Sequence, residues 1–245
     1  MDIITTASYK EMSKVASSII ISNLRVKQNL VLGLATGSTP KGTYQYLVED
    51  YKQNRTDYSK VKAFNLDEYI GLGLDHRNSY YSFMQKNLFQ SINMKSENTF
   101  IPNGTAKDIF SECQSYENKL AQHGPIDIQL LGLGQNGHIG FNEPGTSFQS
   151  TTHLVELTHS TINANARFFE SSDEVPTHAI TMGIHTIMQA KKILLLISGK
   201  NKQDAFQKLL YGELSEKFPA SILQTHPNVT IIADKDVLQN NRTIA

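Results

Sequence analysis

Between Leu131 and Gly145 the chain reads Leu-Gly-Leu-Gly-Gln-Asn-Gly-His-Ile-Gly-Phe-Asn-Glu-Pro-Gly. This stretch combines backbone freedom with groups that move protons. His138 supplies an imidazole, the side chain most often used for general acid–base work. Glu143 supplies a carboxylate that could orient that imidazole, and Asn136 and Asn142 supply amides. Glycines at 132, 134, 137 and 140 let backbone amides approach a ligand closely. Pro144 and Gly145 forbid a simple helix across the segment. The run from Ile126 to Leu131 in front of it reads as a strand aimed at the core. Open α/β sheets place their ligands at the carboxyl ends of such strands, so an active-site loop is predicted here.

Other residues could join this chemistry. Asp67 and Glu68 follow an apolar run, Val61 to Leu66. They read either as a solvated loop or as a site in which one carboxylate is a general base tuned by its surroundings. Thr36-Gly37-Ser38-Thr39-Pro40 sits between a predicted strand and a predicted helix. It reads either as an ordinary cap by Ser38 or Thr39, or as an anion site built from free helical N–H groups. Arg167, among apolar neighbours, and Lys202, at another strand-to-helix junction, are surface charges or the cations of a phosphate clamp.

Several chemistries are excluded or disfavoured by pattern. Gly132-x-Gly134-x-x-Gly137 matches a dinucleotide fingerprint, but no helix can follow it past Pro144, which argues against nicotinamide or flavin. Gly37 is followed by Ser-Thr-Pro-Lys-Gly rather than a Walker A ending, and no Gly-x-Ser-x-Gly elbow occurs. His138, Glu143 and His153 have no recognisable metal-ligand spacing. The single Cys113 rules out an intramolecular disulfide framework and reads as structural.

The elements that must position these groups are legible as alternating apolar strands and helices. Ser8-x-x-Glu11 opens a helix to about Leu24, and Leu30–Leu34 is a strand. Pro40 suits the first position of a helix carrying Tyr44, Leu47 and Val48. Helices are expected at about 79–89, 106–121 and 202–211 and through Met188, with strands at 61–66, 126–131, 178–182, 193–198 and 229–233. This order predicts an α/β fold of the Rossmann-like kind, an open, mainly parallel sheet with helices on both faces. Residues 1–245 read as a single domain, with an active-site lid near 143–175. Lysine plus arginine and aspartate plus glutamate each number 23, so no global field attracts nucleic acid or an anionic membrane. With no signal peptide and no apolar run near the ~20 residues of a membrane span, the chain is expected to be cytoplasmic.

Taken together, Gly33–Pro40, Asn65–Tyr69, Ser79–Met84, Gly137–Pro144 and Asn165–Phe169 resemble the glucosamine-6-phosphate deaminase family, in order and over nearly the whole chain. The neighbouring 6-phosphogluconolactonases have Asp-Glu-Arg where this chain has Asp67-Glu68-Tyr69, and they lack the Phe141–Pro144 continuation. The resemblance implies conversion of D-glucosamine 6-phosphate to D-fructose 6-phosphate and ammonia, without a cofactor. It assigns Asp67 as base at C2, His138 as the ring-opening group and Glu143 as its support. Gly37, Ser38, Thr39, Arg167 and Lys202 match the phosphate contacts. Asn136 stands where some members carry aspartate; an amide can orient an imidazole but brings it no negative charge. Hexameric members are activated at a second phosphate site that uses basic residues just after Phe-Asn-Glu-Pro. The matching positions here are His153 and Val155, which implies an unregulated monomer or small homo-oligomer.

Overall fold

A computed structural model describes residues 1–166, 169–171 and 174–238, without the side chains of 159, 160, 164 and 165. In chain order the elements are β1 (Asp2–Thr6), α1 (Tyr9–Val26), β2 (Val31–Leu34), α2 (Ser38–Asn54), β3 (Lys62–Asn65), β4 (Asp67–Tyr69), α3 (Tyr80–Asn87), β5 (Thr99–Phe100), α4 (Ile109–His123), β6 (Ile128–Gly132), β7 (His153–Glu156), α5 (His159–Ala166), β8 (His178–Thr181), α6 (Ile184–Met188), β9 (Ile193–Ile197), α7 (Gln203–Tyr211), β10 (Val229–Asp234) and α8 (Lys235–Leu238). Seven strands form one sheet in the order β1-β10-β9-β6-β2-β3-β5, and every pairing in it is parallel.

Alternation along the strands divides the core into two layers. Val31, Leu131, Ile193, Leu195 and Ile231 pack with Tyr116 and Leu120 of α4, Ile187 of α6, and Phe206 and Leu209 of α7. Leu32, Leu34, Leu130, Leu194, Leu196 and Ile232 pack on the other face with Met12, Ala16 and Ile20 of α1, Tyr44 and Leu47 of α2, and Met84 of α3. A sheet buried on both faces explains why β9 and β10 read as continuous apolar runs. Ser8 caps α1 as expected, its hydroxyl accepting from the Glu11 amide at 3.3 Å.

The structure corrects the sequence reading in three places. The strand at 178–181 belongs not to the parallel sheet but to a small antiparallel one, β4-β8-β7. Its partner is Asp67–Tyr69, which continues as a buried strand. Pro40 is the third residue of α2 rather than the first, where its missing N–H still costs no intrahelical bond. Strands β1, β5 and β7 also lie outside the predicted set; β5 has two residues, and β7 alternates between half-buried and exposed positions.

Candidate active site

The chain leaves β2 toward β3 and β5 on one side and returns through α4 to β6 on the other, so the sheet order reverses between β2 and β6. Their carboxyl ends therefore open a crevice of the kind that holds ligands in open α/β sheets. A side-chain carbon at Gly132 would lie 3.8 Å from Thr39, which shows how closely the two loops begin. Gly37 precedes α2 with φ 86°, a left-handed conformation suited to glycine, and no side chain caps the helix. Ser38 and Thr39 are thus inside the first turn rather than caps, and the helix start presents its N–H groups to the crevice. Lys202 ends a 3-10 turn (Lys200–Lys202) after β9, the strand next to β6. Asp234 fixes this turn by accepting from the Ser198 hydroxyl and from the Gly199 amide. Three adjacent strands therefore deliver the predicted loop groups to one edge. Arg167 lies outside the described residues.

The histidine loop folds on itself through Gly134 N–H to His138 O (2.9 Å) and Gly137 N–H to Gly134 O (3.1 Å). A side-chain carbon at Gly134 would come within 2.4 Å of the His138 ring, so the imidazole lies directly against that glycine. Asn142 is fully buried, and its amide donates to Ile139 O and Met182 O, both at 2.9 Å. It therefore clamps the loop to the end of β8. The Phe141 amide adds a bond to Thr181 Oγ1 at 3.1 Å.

Glu143 joins two segments through separate oxygens. Oε2 accepts from Asn136 Nδ2 at 2.6 Å and faces His138 Nδ1 at 3.7 Å, ion-pair range but longer than a hydrogen bond. Oε1 accepts from the Thr161 hydroxyl and from Thr158 Oγ1 at 3.2 Å. Burial alone would raise this carboxyl; the imidazole of His138, the Thr161 hydroxyl and the Asn136 amide outweigh it and hold it at about 2. Asn136 thus orients the carboxylate and accepts from the His138 backbone amide (3.2 Å), leaving the imidazole to Glu143.

Asp67 and Glu68 are both buried, 5% and 1% exposed, which removes the solvated-loop reading. Glu68 is consumed by backbone donors: Tyr69 N at 2.9 Å, Tyr80 N at 2.8 Å and Tyr81 N at 2.9 Å. It satisfies the start of α3, where helical N–H groups lack partners. Asp67 pairs in register with Thr181 of β8. Burial first, and the charge of Glu68 second, push its carboxyl up to about 8. Gly140 ties the two halves of the site together. A side-chain carbon there would sit 3.6 Å from Asp67 Oδ2 and 3.1 Å from Thr181 Oγ1. The loop carrying His138 therefore rests against the buried aspartate.

Tyr69, Tyr80 and Phe141 form an aromatic wall beside Asp67, with ring centroids 4.7 to 6.0 Å apart. Among the described residues no three His, Cys, Asp or Glu side chains gather as a metal site. Sequence reasoning missed Thr158, Thr161 and Thr181, and it missed that Glu68 is spent on α3. Thr158-x-x-Thr161 carries a local helix-start signal, but its reach to Glu143 depends on tertiary packing.

Residues 5–232 match the family described as glucosamine-6-phosphate isomerases/6-phosphogluconolactonase. A glucosamine-6-phosphate deaminase of Oceanobacillus iheyensis is 57% identical over 98% of this chain and 96% of its own length. One from Thermoanaerobacter pseudethanolicus is 55% identical over 96% and 93%. A solved structure of a monomeric glucosamine-6-phosphate deaminase superposes with a TM-score of 0.96 at 49% identity, covering 97% of this chain and 99% of that one. The 6-phosphogluconolactonase of Trypanosoma brucei shares the fold, with a TM-score of 0.80 at 21% identity over 98% of both chains. The chain belongs to the glucosamine-6-phosphate isomerase and 6-phosphogluconolactonase family, and within it to the glucosamine-6-phosphate deaminases.

Proposed function

We infer that the chain converts D-glucosamine 6-phosphate and water to D-fructose 6-phosphate and ammonia. The observation that carries the reading is the meeting of a buried, basic Asp67 with the His138–Glu143 pair across Gly140. His138 moves the proton of the anomeric hydroxyl to the ring oxygen, which opens the sugar. Glu143 stays ionised and supports the imidazole, while Asn136 holds Glu143. Asp67 then removes the C2 proton; a carboxyl pushed up to about 8 is a far better base than an ordinary one. The double bond migrates, the proton is delivered to C1, water adds at C2 and nitrogen leaves as ammonia. Gly37, Ser38, Thr39, Lys202 and Arg167 hold the nonreacting phosphate and so fix C2 against Asp67, a positional contribution to rate.

The same reading makes the chain a cofactor-independent cytoplasmic enzyme of amino sugar breakdown. It is a single domain with a cover over the site near 143–175, and a monomer or small homo-oligomer. The monomeric state named for the solved deaminase supports the last point. Among the described residues no helix is long and apolar enough to cross a membrane. Ammonia and fructose 6-phosphate are to be measured together on glucosamine 6-phosphate, with 6-phosphogluconolactone as the control substrate. Equal release of both products is expected. Lactone hydrolysis without ammonia would replace this reading with the lactonase one.

A further inference from the structure

Glu143 lies in the loop after β6 and helix α5 follows β7, yet they share a hydrogen-bond network. Thr161 is buried, 6% exposed, on the first turn of α5. Its hydroxyl has one proton, which it gives to Glu143 Oε1. Thr158, just before the helix, accepts from the Thr161 amide at 3.3 Å and lies 3.2 Å from both Glu143 Oε1 and Thr161 Oγ1. One Glu143 oxygen therefore belongs to the start of α5, and the other is left for Asn136 and His138. Among the described residues His138 is the titratable group that faces this carboxylate; the remaining partners are neutral.

Resting on the deaminase reading above, we propose that Thr161 is a positioning residue for the acid–base pair, its hydroxyl locking Glu143 to α5 so that the second carboxylate oxygen faces His138. The two carboxylate oxygens turn together about the Cγ–Cδ bond. With Oε1 held, Oε2 can address only the imidazole side, and the orientation is set before substrate arrives. Without the hydroxyl, Glu143 can turn, and its charge loses a donor that favours the ionised form. Helix seating and imidazole alignment become one event, because the same hydrogen bond serves both.

The test compares Thr161→Val, which keeps the shape and removes the hydroxyl, with Thr161→Ser, which keeps the hydroxyl. Two readouts are taken: the Glu143 carboxyl titration by NMR of glutamate-labelled enzyme, and kcat and KM on glucosamine 6-phosphate. In the valine variant the Glu143 titration is expected to move up from about 2 toward the ordinary carboxylate range. Its kcat should fall about tenfold with KM little changed, short of the roughly hundredfold or greater loss of acid–base catalysis itself. Serine should restore both readouts. A valine variant that titrates and turns over like the parent overturns the proposal, and so does a serine variant as impaired as valine. The titration needs no turnover, so an inactive parent would defeat the deaminase reading and leave the Thr161 result standing. Should valine prevent folding, Thr161→Ala carries the same readouts.

Discussion

Asp67 and Glu68 are consecutive in β4 and both buried, but their carboxylates have opposite fates. Glu68 receives three backbone N–H bonds at 2.8 to 2.9 Å, whereas among the described residues no hydrogen bond reaches the Asp67 carboxylate. Alternation along a strand sends the two side chains to opposite faces. One acid is thereby spent on seating α3, and the other keeps its carboxylate free of such bonds among the described residues.

Asp67→Asn should abolish turnover while leaving sugar binding nearly intact, since an amide cannot accept the C2 proton. Loss of C2 hydrogen–deuterium exchange checks it; retained exchange would move the base elsewhere. In the parent, kcat/KM should rise about tenfold per pH unit up to roughly pH 8, where Asp67 becomes ionised. The stability sign follows from the same shift. A carboxyl raised in the folded state favours the protonated fold, so stability declines as pH climbs from the ordinary carboxylate range to about 8 and levels off above it. The melting temperature of Asp67→Asn relative to the parent should therefore rise with pH over that interval and stay constant above about 8.

Glu68→Gln keeps one acceptor oxygen for α3 but removes the charge beside Asp67. The acid limb of the pH–rate profile should move to lower pH, because Glu68 is the second cause of the raised Asp67 value. Stability should fall by about 1–3 kcal/mol as a helical N–H loses its partner. Denaturant unfolding gives the second quantity. An unmoved acid limb would show that burial alone tunes the base.

Gly134→Ala places a carbon within 2.4 Å of the His138 ring, and ring atoms cannot yield as a chain tip can. The imidazole should be displaced with the fold retained, costing about a hundredfold or more in kcat. His138→Gln should show the same defect, concentrated in ring opening. Open-chain substrate ought to rescue His138→Gln far better than Asp67→Asn; equal losses on both forms would assign His138 to another step.

How much of this was readable beforehand follows from distance along the chain. The apolar runs of β2, β6, β9 and β10, and the His138–Glu143 spacing, are local and were legible. Asp67–Tyr69 as a strand was not, because two adjacent acids read as exposed until β8 arrives to pair with them. Glu68 reaches Tyr80, 12 residues away, and Thr161 reaches Glu143, 18 away. Neither partnership has a periodicity that would announce it. The fold class needed only pattern, whereas the supports of the site needed the fold.

Arg167→Ala and Lys202→Ala should weaken phosphosugar ligands far more than glucosamine itself, because charge-assisted contacts to a dianion are lost. Titration with both ligands decides this. The same proportional loss for the unphosphorylated sugar would remove these residues from the phosphate clamp.

Kinetics should be hyperbolic, with no activation by N-acetylglucosamine 6-phosphate. The family resemblance makes His153 and Val155, on the short strand β7, the counterparts of the basic effector contacts of hexameric members. Valine carries no charge, and a histidine is not a permanent cation. The Nδ1 atom of His153 is engaged with Thr151 O at 2.7 Å, so one side of the ring is already occupied. An effector phosphate would find little to bind there. Activation also requires that the effector bind two conformational states unequally. A site that holds neither state's phosphate strongly cannot shift them. Initial rates across substrate concentration, with and without the acetylated sugar phosphate, settle the point. Sigmoidal curves that turn hyperbolic on adding it would show that a site elsewhere on the chain supplies the missing cations.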